Sequence, residues 1–196
     1  MNVILANLHT FGGRKLEENP FDYNAHVQLI EFLRKTEDLE QAKAARERMH
    51  DIYPLSAALW LQWIEDELRI AATREEKRQV EVLFKRAIDD YEDVNIWLEY
   101  CHFVISNFDF TSLNGIQDAE VIFESALSHQ GLNTAAGSML WEIYREFLTV
   151  IWSQLSDNQV KIVFVLFLFK NSCIFTLIFL FLRKYVLYQK MNDLHS

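Results

Sequence analysis

An all-α array of paired helices is the fold class that this sequence predicts, on three observations. Aromatic residues recur at i, i+3 as Trp60/Trp63, Trp97/Tyr100 and Trp141/Tyr144, which places each pair on one helical face. Amphipathic stretches with apolar residues at helical spacing lie between and around these pairs. Glycine and proline are scarce, at five and two in 196 residues, as suits helices joined by short turns.

Taken in order, a first helix is expected over 20–35, with Asn19-Pro20 offering an N-cap and a first-turn proline. A second over 39–52 opens on Asp38 with Gln41, which resembles a capping box, and Pro54 closes the pair. The aromatic pair Trp60/Trp63 falls in a helix over 57–71. Thr73 with Glu76 is a capping box for 74–91, where Val80, Leu83, Phe84, Ala87 and Ile88 share one face. Trp97/Tyr100 fall in 94–106, followed by 115–129 with Ala119, Ile122, Phe123, Ala126 and Leu127. Gly131 suits the residue just past that helix, and Trp141/Tyr144 open a last one over 138–152.

These elements form a repeat. Trp60 to Trp97 is 37 residues and Trp97 to Trp141 is 44. Counting back 37 from Trp60 reaches Tyr23, with His26 at i+3 as a degenerate first copy. The apolar face of 80–91 returns 39 residues later from Ala119, and 38 residues earlier from Ala42, where Arg46 and His50 stand in place of apolar residues. A weak first unit is expected where an array meets solvent.

The Trp-x-x-Trp/Tyr first helix, paired with Val80-Glu-Val-Leu-Phe84-Lys-Arg-Ala87-Ile88 and again with Asp118-Ala-Glu-Val-Ile-Phe123-Glu-Ser-Ala126-Leu127, resembles the half-a-TPR (HAT) repeat. The resemblance runs from Leu16 to about Thr149, with particular likeness at Asn19-Pro-Phe-Asp-Tyr-Asn24, Asn95-Ile-Trp-Leu-Glu-Tyr100 and Leu140-Trp-Glu-Ile-Tyr-Arg-Glu-Phe147. It is closest to the HAT arrays of nuclear factors that recycle spliceosomal small nuclear ribonucleoproteins. It implies a TPR-like α-α superhelix of three complete pairs and a partial fourth, acting as a protein-binding scaffold in RNA processing in the nucleus. Implied partners are proteins of splicing and small-ribonucleoprotein complexes. The residues that carry the repeat signature are Trp60, Trp63, Phe84, Ala87, Trp97, Tyr100, Phe123, Ala126, Trp141 and Tyr144. Their expected role is structural: aromatic rings fill the space between helices and alanines allow close approach. The groove of stacked repeats is the expected binding surface.

Charge and chemistry narrow the function further. The formal net charge is −9, and five Lys/Arg against two Asp/Glu in 151–196 leave −12 for residues 1–150. So acidic a body opposes a phosphate backbone, which argues against direct nucleic-acid binding by residues 1–150. Two distant cysteines, Cys101 and Cys173, make no disulfide framework, and residues 1–16 lack the basic and apolar regions of a signal peptide. His9, His26, His50, His102 and His129 fall at no metal-ligand spacing. Gly12-Gly13 has no Gly-Lys-Ser/Thr behind it. Glu65-Asp66-Glu67, and Asp89-Asp90 with Glu92-Asp93, read as solvated helix ends or as contacts for a basic partner. The sequence therefore nominates no catalytic, cofactor-binding or metal-binding residue and no cofactor.

The expected organisation is an N-terminal segment 1–18, a repeat array 19–152 and a divergent hydrophobic tail 153–196, either helical or disordered. A second helix should follow Trp141–Phe147, yet 162–182 is almost uniformly apolar, with Lys170 near its middle and Arg183-Lys184 behind it. Three readings stand side by side. The tail is translated intron-like sequence, or a membrane anchor at 162–182, or a buried helix. The membrane reading gives an alternative function, a membrane-anchored helical-repeat adaptor.

Overall fold

A computed structural model describes residues 14–154, which are helical with short connections. The helices are α1 (Arg14–Glu18), α2 (Tyr23–Lys35), α3 (Leu39–His50), α4 (Ala57–Ile70), α5 (Arg74–Asp90), α6 (Val94–Asn107), α7 (Leu113–Gln130) and α8 (Gly137–Gln154). Among the described residues no helix is long and apolar enough to cross a membrane. Residues 162–182, which carry the membrane-anchor reading, lie outside the described residues.

Side-chain oxygens start the helices where the sequence offers them. Ser56, Thr73, Asp93 and Ser112 each accept a backbone N–H of the first turn that follows. At Thr73 the bond is reciprocal, because Glu76 accepts from the backbone N–H of Thr73 at 2.7 Å. The start of α2 departs from expectation. Asp22, not Asn19, is its cap, accepting from Ala25 N–H at 3.0 Å. Asn19-Pro20 forms a preceding turn, whose Pro20 carbonyl lies 2.9 Å from His26 Nε2. Space requires glycine at 115, where a Cβ would meet the Asp109 carbonyl oxygen at 2.0 Å, and backbone carbonyls crowd Gly131 and Gly137 in the same way. The α2–α3 turn passes through Glu37 at φ 57°, with Glu37 and Asp38 N–H bonded to Arg34 and Leu33 carbonyls. This is a Schellman closure with glutamate where glycine is usual.

The helices form consecutive antiparallel pairs, α2/α3, α4/α5 and α6/α7, with α8 packed on α6 and α7. First helices α4, α6 and α8 stack in one layer, which α2 joins through Arg34 to Asp66. Second helices α3 and α5 are tied in the other layer by Glu47 and Arg86. One apolar core runs the length of the array, from Leu29 in α2 to Ile151 in α8.

The fold repeats one contact between units. Each second helix buries one bulky side chain against two residues, i and i+3, of the next first helix. Phe84 of α5 stacks on Tyr100, centroids 4.9 Å apart, and lies 5.4 Å from Phe103 of α6. Phe123 of α7 meets Tyr144 at 5.6 Å and Phe147 at 4.6 Å on α8. Ala87 and Ala126, one turn on, are fully buried and let the helices approach. Such ring pairs add roughly 0.5–1.5 kcal/mol to the burial itself.

Phe84→Ala is expected to cost about 3–5 kcal/mol in urea denaturation, because it empties this central contact. Val82→Ala, on the exposed face two residues away, should change stability by less than about 0.5 kcal/mol. Equal losses at both positions would contradict the packing described.

Candidate binding site

The equivalent contact between the first two units is built from charge. Counting by the repeat, Arg46 occupies the register of Phe84 and Phe123, Trp63 that of Tyr100 and Tyr144, and Asp66 that of Phe103 and Phe147. Arg46 is completely buried, yet it donates to Asp66 Oδ2 and sits 5.9 Å over the Trp63 ring. Thus one guanidinium–carboxylate pair replaces one Phe–Phe contact in the same place. The substitution is complementary, since a lone arginine or aspartate there would be an unpaired buried charge.

Asp66 is also the hub of a surface network. Arg34 of α2 grips it through Nε at 2.7 Å and Nη2 at 3.0 Å, and reaches Glu65 at 3.3 Å. Burial would push the Asp66 carboxyl up, but hydrogen bonds from Arg34 and Arg46 and their charges hold it below the usual carboxylate range. Outside this pair opens a cleft of about 350 Å³ between α2 and α4, lined by Glu31, Arg34, Lys35, Gln62, Asp66 and Arg69. Its rim carries both signs of charge and lies on the first-helix layer. It fits a polar or mixed-charge peptide segment better than an apolar one.

The acidic clusters therefore divide. Glu65 is three-quarters exposed, as the sequence suggests, whereas Asp66 is buried. Asp90 likewise corrects the expectation of a solvated helix end. Its Oδ2 accepts from Leu55 N–H at 2.9 Å and from Trp60 Nε1 at 2.8 Å, binding the end of α5 to the start of α4. Both escape a reading by clusters because acidic runs look alike whichever face each member takes. For Asp66 the available signal was register, since Arg46 and Asp66 both stand where later units carry phenylalanine.

The signature aromatics pack between helices and do not line the cleft. Trp60 and Trp63 are fully buried and stack at 5.3 Å, with Arg86 5.6 and 5.5 Å over their rings. Trp97 and Tyr100 are buried, and Trp97 stacks on His129 at 5.6 Å. Trp141 is half-buried and donates to the Gly131 carbonyl at 3.0 Å. Among the described residues no group of three or more His, Cys, Asp or Glu is placed to hold a metal ion. The Cys101 thiol, pushed up to about 12 by burial, is packed in the core.

A second charged feature lies at the other end. Glu120 and Glu124 of α7 each have a buried Oε1 without a hydrogen-bond partner. Burial, and then Glu124, push the Glu120 carboxyl up to about 7, and burial also raises Glu124. Neither was nominated by the sequence, since one Glu pair at i, i+4 resembles any exposed acidic face.

Comparison with known proteins identifies the array. The Suppressor of forked protein (Suf) family pattern matches residues 10–170. The chain belongs to the Suf family. Its curated relatives include "Spliceosome associated factor 3, U4/U6 recycling protein" of Mus musculus, 39% identical over 137 residues, 70% of this chain and 14% of that protein. The counterpart from Danio rerio is 42% identical over 144 residues, 71% of this chain and 15% of the relative. The "mRNA 3'-end-processing protein RNA14" of Yarrowia lipolytica is 26% identical over 155 residues, 74% and 19% of the two chains. This Suf-family chain thus spans about one seventh of the length of the spliceosomal relatives. Its all-helical paired architecture is the TPR-like superhelix of HAT repeats that the resemblance implies.

Arg46→Phe alone should cost roughly 3 kcal/mol, because Asp66 loses its fully buried partner. Arg46→Phe/Asp66→Phe, which installs the contact of the later units, should recover most of that loss, with Arg34 turning to water. Denaturant melts of the double-mutant cycle decide it, and additive losses would reject the equivalence. The wild type should lose stability as pH falls through the lowered Asp66 pKa, since the unfolded chain takes up protons first.

Glu120 has the opposite sign. Its raised carboxyl keeps a proton that the unfolded chain releases, so its contribution falls as pH rises from the ordinary 4.5 towards about 7. Glu120→Gln should therefore stabilise the chain at pH 8, by on the order of 2 kcal/mol, and much less at pH 4.5. Thermal melts at the two pH values measure this, and a pH-independent difference would contradict it.

Proposed function

We propose that residues 19–152 act as a non-catalytic, protein-binding scaffold in RNA processing, in the splicing and small-ribonucleoprotein recycling branch. The observation that carries this reading is the 39% identity to a U4/U6 recycling protein across 70% of the chain. The more distant likeness to a 3'-end-processing protein keeps the reading within RNA processing. The physical features agree with it. The first-helix layer offers a cleft of mixed charge, and the conspicuous aromatics are spent on the core rather than on a ligand. A net charge of −12 over residues 1–150 favours protein partners with basic segments over a phosphate backbone. The nucleus is the compartment this function requires.

Affinity capture with the full chain from nuclear extract tests the proposal. Mass spectrometry should recover components of splicing ribonucleoproteins, and charge reversal at the cleft by Lys35→Glu/Arg69→Glu should reduce that recovery. Capture of no splicing or ribonucleoprotein component would reject the reading.

A further inference from the structure

The cleft between α2 and α4 is a cationic island on an acidic chain. Of its lining side chains Arg34, Lys35 and Arg69 are positive and Glu31 and Asp66 negative, against −12 for residues 1–150 as a whole. Asp66 is closed to a ligand, because it is buried and its two oxygens are taken by Arg34 and by Arg46 beneath. One carboxylate thus serves two guanidiniums, and a positive charge is left over at the cleft floor. Arg34 commits Nε and Nη2 to Asp66 and Glu65, which fixes the guanidinium plane and leaves Nη1 outside these bonds. Lys35 is exposed and forms no ion pair among the described residues. Arg69, its side chain 56% exposed, comes only within 3.9 Å of Asp66.

The repeat does not require these cations. Counting by 37, Arg34 and Lys35 lie in the register of Ala71 and Ala72, and Arg69 in that of Ser106. The next two first helices therefore meet without any of the three, and the array packs there all the same. We propose that the α2–α4 cleft seats a glutamate or aspartate side chain of a partner peptide, its carboxylate held by Lys35, Arg69 and the outer edge of Arg34. All three cations reach solvent, Arg34 through 26% of its side-chain surface, unlike the buried Asp66–Arg46 pair behind them.

The charge balance selects a carboxylate. The lining side chains hold one positive charge in excess, which a single carboxylate neutralises. A phosphate dianion would add a second negative charge beside the exposed Glu31 and Glu65. Residues 1–13 contain no Asp or Glu, so the segment ahead of α1 does not supply the anion. The partner segment is then an acidic residue among neutral or basic ones, the latter suited to the acidic body around the cleft. The inference rests on the scaffold reading and deepens it, but its test uses purified components and can fail while the nuclear capture succeeds, or the reverse.

The probe is the end-capped peptide Gly-Ser-Glu-Ser-Gly, titrated into the full chain while NMR follows the guanidinium Nε–H signals of Arg34 and Arg69. Both signals should shift and approach saturation at millimolar peptide. Glutamine in place of the peptide's glutamate should weaken binding about tenfold, and so should Lys35→Ala/Arg69→Ala in the chain. Both replaced side chains are exposed, and circular dichroism verifies the variant's fold. An Arg69→Glu chain should bind the peptide with lysine in place of glutamate better than the original. A phosphoserine peptide should bind no tighter than the glutamate one. Absence of any shift up to about 10 mM peptide, as when Asp157 or Asp193 of the chain already fills the cleft, overturns the proposal. So does equal binding by the glutamine peptide or by the alanine variant, and so does tighter binding of phosphoserine.

Discussion

The array depends on one contact, the bulky side chain that each second helix drives between residues i and i+3 of the next first helix. A helix pair cannot bury both its faces alone, so stability is gained at the junctions between units. Phe84 and Phe123 make that junction with rings, and the alanines one turn on let the backbones come close enough for the rings to touch. The capped helix starts and short turns deliver each helix to the junction in register. Without the contact, caps of about 1 kcal/mol each would not hold the units together.

The first junction shows that the constraint concerns volume and complementarity, not aromatic chemistry as such. Arg46 and Asp66 fill the space of two phenylalanines while satisfying part of each other's hydrogen bonding. Burying charge brings no net stability over a hydrophobic pair, because desolvation offsets the Coulombic gain. It does make the first junction distinct from the others, and it extends through Asp66 to Arg34 at the surface. The cleft between α2 and α4 therefore sits directly over the polar junction, which couples that surface to the core.

The two ends of the described array differ in electrostatic character. At the first junction every buried carboxylate oxygen of Asp66 has a cationic donor, from Arg34 or Arg46. On α7, Glu120 and Glu124 face each other across one helical turn with orphaned oxygens.

The sequence alone determined the periodic part of the protein. Helix pairing, the register of Trp60, Trp97 and Trp141, the capping box at Thr73 and the family resemblance all rest on spacings of three, four and about 37–44 residues. Such local periods survive without coordinates because a helix translates spacing into a face. Tertiary structure decided which charged residues are buried. Asp66 and Asp90 look like their solvated neighbours until Arg46, Arg34, Leu55 and Trp60 arrive from 20 to 35 residues away. The cap of α2 at Asp22 and the left-handed Glu37 are local features, held by bonds spanning three to five residues, that Asn19-Pro20 and the absence of a glycine hid from the sequence reading. Burial of a charge depends on a partner distant in sequence, and one-dimensional pattern carries that only where the repeat itself reveals a complementary exchange.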